Sequence, residues 1–230
     1  MTGSSKPRKA VAGAAKRPQQ ERGVLRYNKL LDAAHSLLIE HELDEVGLYQ
    51  IAERAEVPPA SAYHFFPTPG AVFLALTERY HERFADLTLN LEMPEDGRWQ
   101  TLLKLRLAAA AQIFNENPPM QKLLLGGYTT RDLVLADAGF NERMASEMAE
   151  TYYKLFSMPP IRNLQRKYLV MLTLVDAIWR LSYAQHGAIT SEFLGEAELV
   201  AVSYCRTFLP EVIERREAPQ ETEPVLPLGP

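Results

Sequence analysis

Two successive prolines, Pro58 and Pro59, stand between a short amphipathic segment and a run of aromatic rings. Proline bars the residue before it from helical geometry, so Val57 must end the helix it follows. The same prolines cost little in the first turn of a new helix, where backbone N–H groups have no partner within the helix. The stretch "LYQIAERAEVPPASAYHFF" therefore reads as helix, tight turn, helix. Upstream, residues 24–42 space Leu30, Ala33, Ala34, Leu37, Leu38 and His41 along one helical face. Residues 45–55 set Leu48, Ile51, Ala52 and Ala55 at i, i+3, i+4 and i+7, with Asp44 as N-cap. The third helix runs from Pro58 to about His64. Three short helices with a tight turn before the third form a helix-turn-helix pattern, whose last helix enters the DNA major groove.

The residues of that last helix suit the task. Ala60, Ser61 and Ala62 are small, so the helix N-terminus can approach base edges closely, and its N–H groups favour phosphate. Ser61 can donate to or accept from a base or phosphate. Tyr63 and His64 can lie on the groove wall against the backbone. Phe65 and Phe66 should turn inward and lock the helix onto its neighbours. The plainer reading makes all four rings core; we favour it for the two phenylalanines and DNA contact for Tyr63.

The rest of the chain keeps a helical period. A fourth helix starts at "PTPGAVF", with Thr68 as N-cap and Pro69 at its first position, and continues to about Leu91. "MPEDG" is a turn signal. Further helices stop at Pro118–Pro119, Gly126–Gly127, Pro159–Pro160 and Gly187, and Pro210 should kink or shorten the last one. No β-period, internal repeat or metal-ligand spacing is visible. The fold class is all-α. The expected organisation is a basic disordered arm at 1–21, a helix-turn-helix domain at 22–68, a helical body at 69–217, and a disordered tail at 218–230.

Charge is divided unevenly. Residues 1–26 hold seven Lys/Arg against Glu21, a net +6, so with a total of −4 the remainder carries −10. A basic arm of this kind is either a solvated tail or a nucleic-acid-binding arm; an organelle transit peptide fits less well. The single cysteine, Cys205, excludes a disulfide framework and suits a reducing compartment. No run approaches the ~18 apolar residues of a membrane span. The most apolar stretch is interrupted by Asp176 and Arg180. The chain thus reads as soluble and cytoplasmic.

At this point the sequence resembles the tetracycline-repressor (TetR) family of transcriptional regulators. Ile51, Ala52, Ala55, Val57, Tyr63 and Phe66 carry the likeness, over about residues 24–75. Beyond them it lies in helix order alone. The resemblance implies a dimeric, ligand-responsive DNA-binding protein, usually a repressor, acting on a palindromic operator in double-stranded DNA. It places Tyr49, Pro59, Ala60 and Ser61 toward bases, and Leu48 and Tyr63 toward the backbone. The sequence departs from the family at three positions: Gly47 replaces a Thr or Ser, Glu56 a Gly in the turn, and Pro69 a Lys that reaches phosphate. Residues 27–90 hold four cations against ten acids, a net −6. The arm should compensate, with Arg22 and Arg26 nearest the duplex.

In the body, Leu172 and Trp179 on one helix, and Phe193, Ala197, Val200, Tyr204 and Phe208 on the next, form apolar stripes. Paired with a second copy they would build a four-helix bundle and a homodimer; the alternative is an ordinary monomer core. Candidate polar groups of an effector pocket are Arg106, Gln112, Tyr128, Arg131, Tyr152, Asp176 and Tyr183. For Asp176, an i,i+4 pair with Arg180 is at least as good an account. Met120, Met144, Met148 and Phe114 suggest a soft apolar wall, or simply core. The preferred effector is a small apolar or aromatic molecule. No cofactor or metal is implied. No zinc helix, nucleophile elbow, phosphate loop or dinucleotide fingerprint is present, so the chain does not read as an enzyme. The competing class is a helical protein–protein adaptor with a degenerate helix-turn-helix.

Overall fold

The computed structural model describes residues 15–89, 91–126 and 131–216. Among them stand nine helices: α1 (Glu21–Glu40), α2 (Leu48–Arg54), α3 (Pro59–Phe65), α4 (Pro69–Leu89), α5 (Trp99–Asn115), α6 (Pro118–Leu124), α7 (Arg131–Leu155), α8 (Leu164–His186) and α9 (Ser191–Cys205). The breaks fall where backbone chemistry puts them. Thr68 caps α4 by accepting from the Ala71 N–H at 3.2 Å. Asn117 accepts from Met120 N–H ahead of α6, and Thr190 from Phe193 N–H ahead of α9. Gly187 ends α8 with φ of 69°, a left-handed turn that glycine enters without strain. The last helix stops at Cys205, well short of Pro210.

Two expectations shift. Helix α2 starts at Leu48, not near Glu45, because Asp44 lies in a turn and the cap is built around Gly47. There Gln50 reaches back and its Oε1 accepts the Gly47 N–H at 2.8 Å. The basic arm also ends earlier than residue 21, since α1 already includes Glu21. Before it, the Lys16 N–H donates to the Phe65 carbonyl at 2.8 Å, and Arg17 pairs with Glu78 at 2.7 Å. Ala15–Gln20 thus lie against the end of α3 and against α4. Residues 1–14, 90, 127–130 and 217–230, which include most of the arm, Tyr128 and the tail, lie outside the described residues.

The head packs α1 against α2, α3 and α4. Leu30, Leu38, Ile51, Ala52, Ala62, Phe66 and Val72 are completely buried there. Helix α4 then runs on into the body and packs on α5, α6 and α7. In the body α8 packs against both α7 and α9, and α5 against α9. The chain after α9 returns to α5 and α7. Trp99 Nε1–H donates to the Pro210 carbonyl and Gln100 Nε2–H to that of Glu211, while Ser157 N–H donates to the Glu214 carbonyl.

Candidate DNA-binding surface and effector cavity

The turn between α2 and α3 is tight because the Val57 N–H returns to the Ala52 carbonyl at 3.0 Å. Glu56 occupies it with φ of 53°, a left-handed conformation that costs a residue with a Cβ roughly 1–2 kcal/mol. From this turn α3 projects its first turn outward. Pro59, Ala60, Tyr63 and His64 are exposed and Ser61 is half-buried. Tyr49 on α2 is 64% exposed and Tyr63 on α3 is 55% exposed, so two large rings stand on this surface without serving the core. The other two rings of the run do serve it. Phe66 is fully buried with its ring 4.7 Å from that of Tyr27, and Phe65 meets Tyr27 edge-on. Arg22 and Arg26 are exposed on the first two turns of α1.

One residue expected at the backbone is misplaced. Leu48 is only 3% exposed, packed in the head core. Its place at i, i+3, i+4, i+7 with Ile51, Ala52 and Ala55 already marks it as a core position, and burial governs a leucine more strongly than a groove does. Two cations, Arg54 on α2 and Arg79 on α4, are engaged with acids. Arg54 donates to both carboxylate oxygens of Glu40 and to Ser36, and Arg79 pairs with Asp32 at 2.6 Å.

Below the head, α4, α5, α6, α7 and α8 enclose a cavity of about 70 Å³. Its walls are mainly apolar: Phe84, Phe114, Phe140 and Trp179, with Met120, Met144, Met148 and Met171. Phe114 stands edge-on to both Phe84 and Trp179. One end is polar and acidic. Asn141 Nδ2–H donates to Asp176 Oδ2 at 2.8 Å, and Arg180 Nη2–H to Asp137 Oδ2 at 2.9 Å. His81, stacked flat on Phe140 at 3.9 Å, brings Nε2 to 3.6 Å from Asp137 Oδ1. Burial, and then the charge of Asp137, push the Asp176 carboxyl up to about 7, against the opposing Asn141 hydrogen bond and Arg180. Arg106, buried, lies over the Tyr152 ring at 5.5 Å.

Of the expected pocket residues, Arg106 and Asp176 line the cavity. Gln112 does not: it is exposed and donates to Glu116. Arg131 is exposed at the start of α7. Tyr152 is fully buried behind the wall, and Tyr183 is half-buried away from it. Arg180 pairs with Asp137 on α7, not with Asp176 on its own helix, because α7 and α8 pack together and present the closer partner. His81, Asp137, Asn141 and Trp179 are cavity residues that sequence reasoning missed. Part of their signal was available: His81 stands at i+7 from Leu74 and i−3 from Phe84, and Asp137 at i+4 from Leu133 and i−3 from Phe140, each polar at helical spacing from apolar residues.

The dimer stripe needs the same correction. Trp179 and Leu172 line the cavity and Ala197 is fully buried, so they face this chain's own core. Phe193, Val200, Tyr204 and Phe208 are half-buried, with Phe208 between Tyr168, Tyr204 and Lys167. The outward apolar groups are Val170, Leu174 and Leu181 on α8 and Leu199 on α9. Gly195 and Ser203 flank Leu199 at i−4 and i+4, leaving a low surface for close helix approach. Periodicity reports apolar faces without saying which one meets the chain's own core.

Cys205 is buried in the body, and burial pushes its thiol up to about 12, which leaves it inert. Among the described residues no group of three or more His, Cys, Asp or Glu is placed to hold a metal. No helix among them is long and apolar enough to cross a membrane.

Comparison with known proteins agrees with this geometry. Residues 30–76 match the family model of bacterial regulatory proteins, tetR family, which spans the second half of α1, α2, α3 and the start of α4. In sequence the head is similar to that of the TetR family. No curated protein matches the sequence. A TetR-family transcriptional regulator from Streptomyces coelicolor is 26% identical, with 81% of this chain and 98% of that one covered at a TM-score of 0.58. A TetR regulator from Rhodococcus is 18% identical, with coverages of 80% and 97% and a TM-score of 0.60. SmeT, the repressor of the Stenotrophomonas maltophilia multidrug efflux pump SmeDEF, is 14% identical, with coverages of 80% and 91% and a TM-score of 0.58. SmeT is also known in complex with triclosan; that structure gives 15% identity, coverages of 81% and 92% and a TM-score of 0.53. The chain therefore has an all-α TetR regulator fold with its helix-turn-helix head at the N-terminus, a fold that implies DNA-binding transcriptional regulation.

Proposed function

We propose that the protein is a homodimeric, ligand-responsive repressor that binds a palindromic operator and is released by a small apolar or aromatic effector in the cytoplasm. The observation that carries this reading is that α4 and α6 join the exposed α3 surface to the cavity. Helix α4 is continuous from the head to cavity residues His81, Phe84 and Thr88. Helix α6 contributes Met120 and Leu124 to the wall, while its Lys122 donates to the His41 carbonyl at 2.9 Å and pairs with Glu42 at 3.0 Å, just beyond α1. A molecule that widens the cavity displaces both connections. In a dimer built on Val170, Leu174, Leu181 and Leu199, this alters the separation of the two α3 helices, which must match half-sites about 34 Å apart. Effector and operator then oppose each other through one coupling free energy. SmeT, a repressor that is known in complex with triclosan, supports the same sequence of events here.

In this reading Tyr49, Pro59, Ala60 and Ser61 face bases. Tyr63, His64, Arg22 and Arg26 hold phosphates, and the arm adds sequence-independent affinity. The pairing of Arg54 and Arg79 with acids favours a second reading, an adaptor that has given up DNA. Titration of the full chain with plain duplex DNA across salt separates the two. A regulator shows affinity that falls linearly with salt on logarithmic axes, and Tyr63→Ala weakens it. Absence of binding at low salt by folded protein refutes the regulator.

A further inference from the structure

The lining of the cavity carries unmet hydrogen bonding. Trp179 is 3% exposed and lines the cavity, yet its Nε1–H meets no acceptor. An indole nitrogen can only donate, and a buried donor without an acceptor is costly. Three residues earlier on the same helix face is Asp176, one of whose oxygens accepts from Asn141.

We propose that this cavity selects a neutral apolar molecule bearing a hydroxyl, on the scale of a single-ring phenol, whose oxygen accepts from Trp179 Nε1–H and whose proton is donated to the Asp176 carboxyl. This rests on the cavity being the effector site. A hydroxyl is the simplest group that both accepts and donates at one atom. The groups facing this end decide against charged ligands. They are His81 from α4, Asp137 and Asn141 from α7, and Asp176 and Arg180 from α8. An anion would meet the Asp137 carboxylate and, above about pH 7, that of Asp176 as well. A cation finds Asp137 already paired with Arg180 and offers Trp179 no acceptor. The one buried cation of the lining, Arg106, belongs to the other end: it sits over Tyr152, which at 1.5 Å per residue lies roughly 22 Å along α7 from Asp137. The present volume of about 70 Å³ is small for a ring. The four methionines of the wall are unbranched and adaptable, so the cavity can enlarge without breaking backbone hydrogen bonds.

The test is calorimetric titration of the full chain with four probes of one shape: p-cresol, toluene, 4-methylbenzoate and 4-methylbenzylammonium. p-Cresol binds tightest, toluene roughly 2- to 10-fold more weakly for the lost hydrogen bonds, and the two ions more weakly than toluene. Trp179→Phe brings p-cresol down toward toluene while toluene itself still binds. Either ion matching p-cresol, toluene equalling p-cresol, or an unchanged preference in Trp179→Phe overturns the hydroxyl assignment. Binding of none of the four overturns the effector-cavity reading together with it. The wild-type ranking decides alone if Trp179→Phe does not fold.

Discussion

Replacing Asp176 by Asn should make the protein more stable, and increasingly so as pH rises. Burial and the neighbouring Asp137 hold the folded-state carboxyl up at about 7, against 3.8 for the ordinary value. In the unfolded chain the proton is therefore lost first. Between those two values the folded state binds the extra proton, so stability falls as pH rises, and above about 7 the loss is complete. Each pH unit in that window is worth up to ~1.4 kcal/mol. From pH 5 to pH 7 that is at most ~3 kcal/mol, and because Asp176 is only partly enclosed we expect ~2. Asn removes the charge while its carbonyl can still accept from Asn141. Thermal unfolding of both proteins by circular dichroism, at fixed protomer concentration and ionic strength, reads the result. The gap in Tm between variant and wild type should widen from pH 5 to pH 8 by ~4–8 °C, at ~2–4 °C per kcal/mol for a chain of this size. An equal gap at both pH values, or a variant less stable at pH 8, would refute burial of this carboxyl.

Three further outcomes follow from the head. Phe66→Ala opens a hole beside Tyr27 and should cost ~3–5 kcal/mol, read in denaturant melts, with loss of DNA binding; a cost below ~1 kcal/mol would mean the ring does not anchor α3. Glu56→Gly relieves the left-handed turn and should raise stability by ~0.5–1 kcal/mol after the added freedom of the unfolded chain; a destabilised variant would show that the turn is not strained. Deleting residues 1–14 removes Lys6, Arg8 and Lys9, so the logarithmic salt slope of DNA binding should flatten by up to ~0.9 per lost phosphate contact; an unchanged slope would place the arm away from the duplex.

The head was legible because local chemistry determines it. Val57-Pro58-Pro59 sets the turn, Thr68 caps α4, and aromatic side chains divide by period into inward Phe65 and Phe66 and outward Tyr63. Leu48 shows where that reading overreached: a family position was carried onto a side chain that the helix period had already assigned to the core. The body was legible only as helices. Long amphipathic helices with apolar groups on more than one side serve a cavity, a core and an outward face at once, and spacing cannot rank them. Trp179 and Ala197 point to the core while Leu174 and Leu199 face out. Asp137 and His81 escaped notice because they are 56 residues apart in sequence and meet only through the packing of α4 on α7.

The central claim is that the exposed face of α3 reads DNA sequence as a pair. Selection of bound sequences from a random duplex library at moderate salt tests it most directly. The account predicts an enriched palindrome whose half-sites lie about one helical turn apart, lost on Tyr49→Ala or Tyr63→Ala. A folded protein that enriches no sequence would contradict it and leave α3 as packing alone.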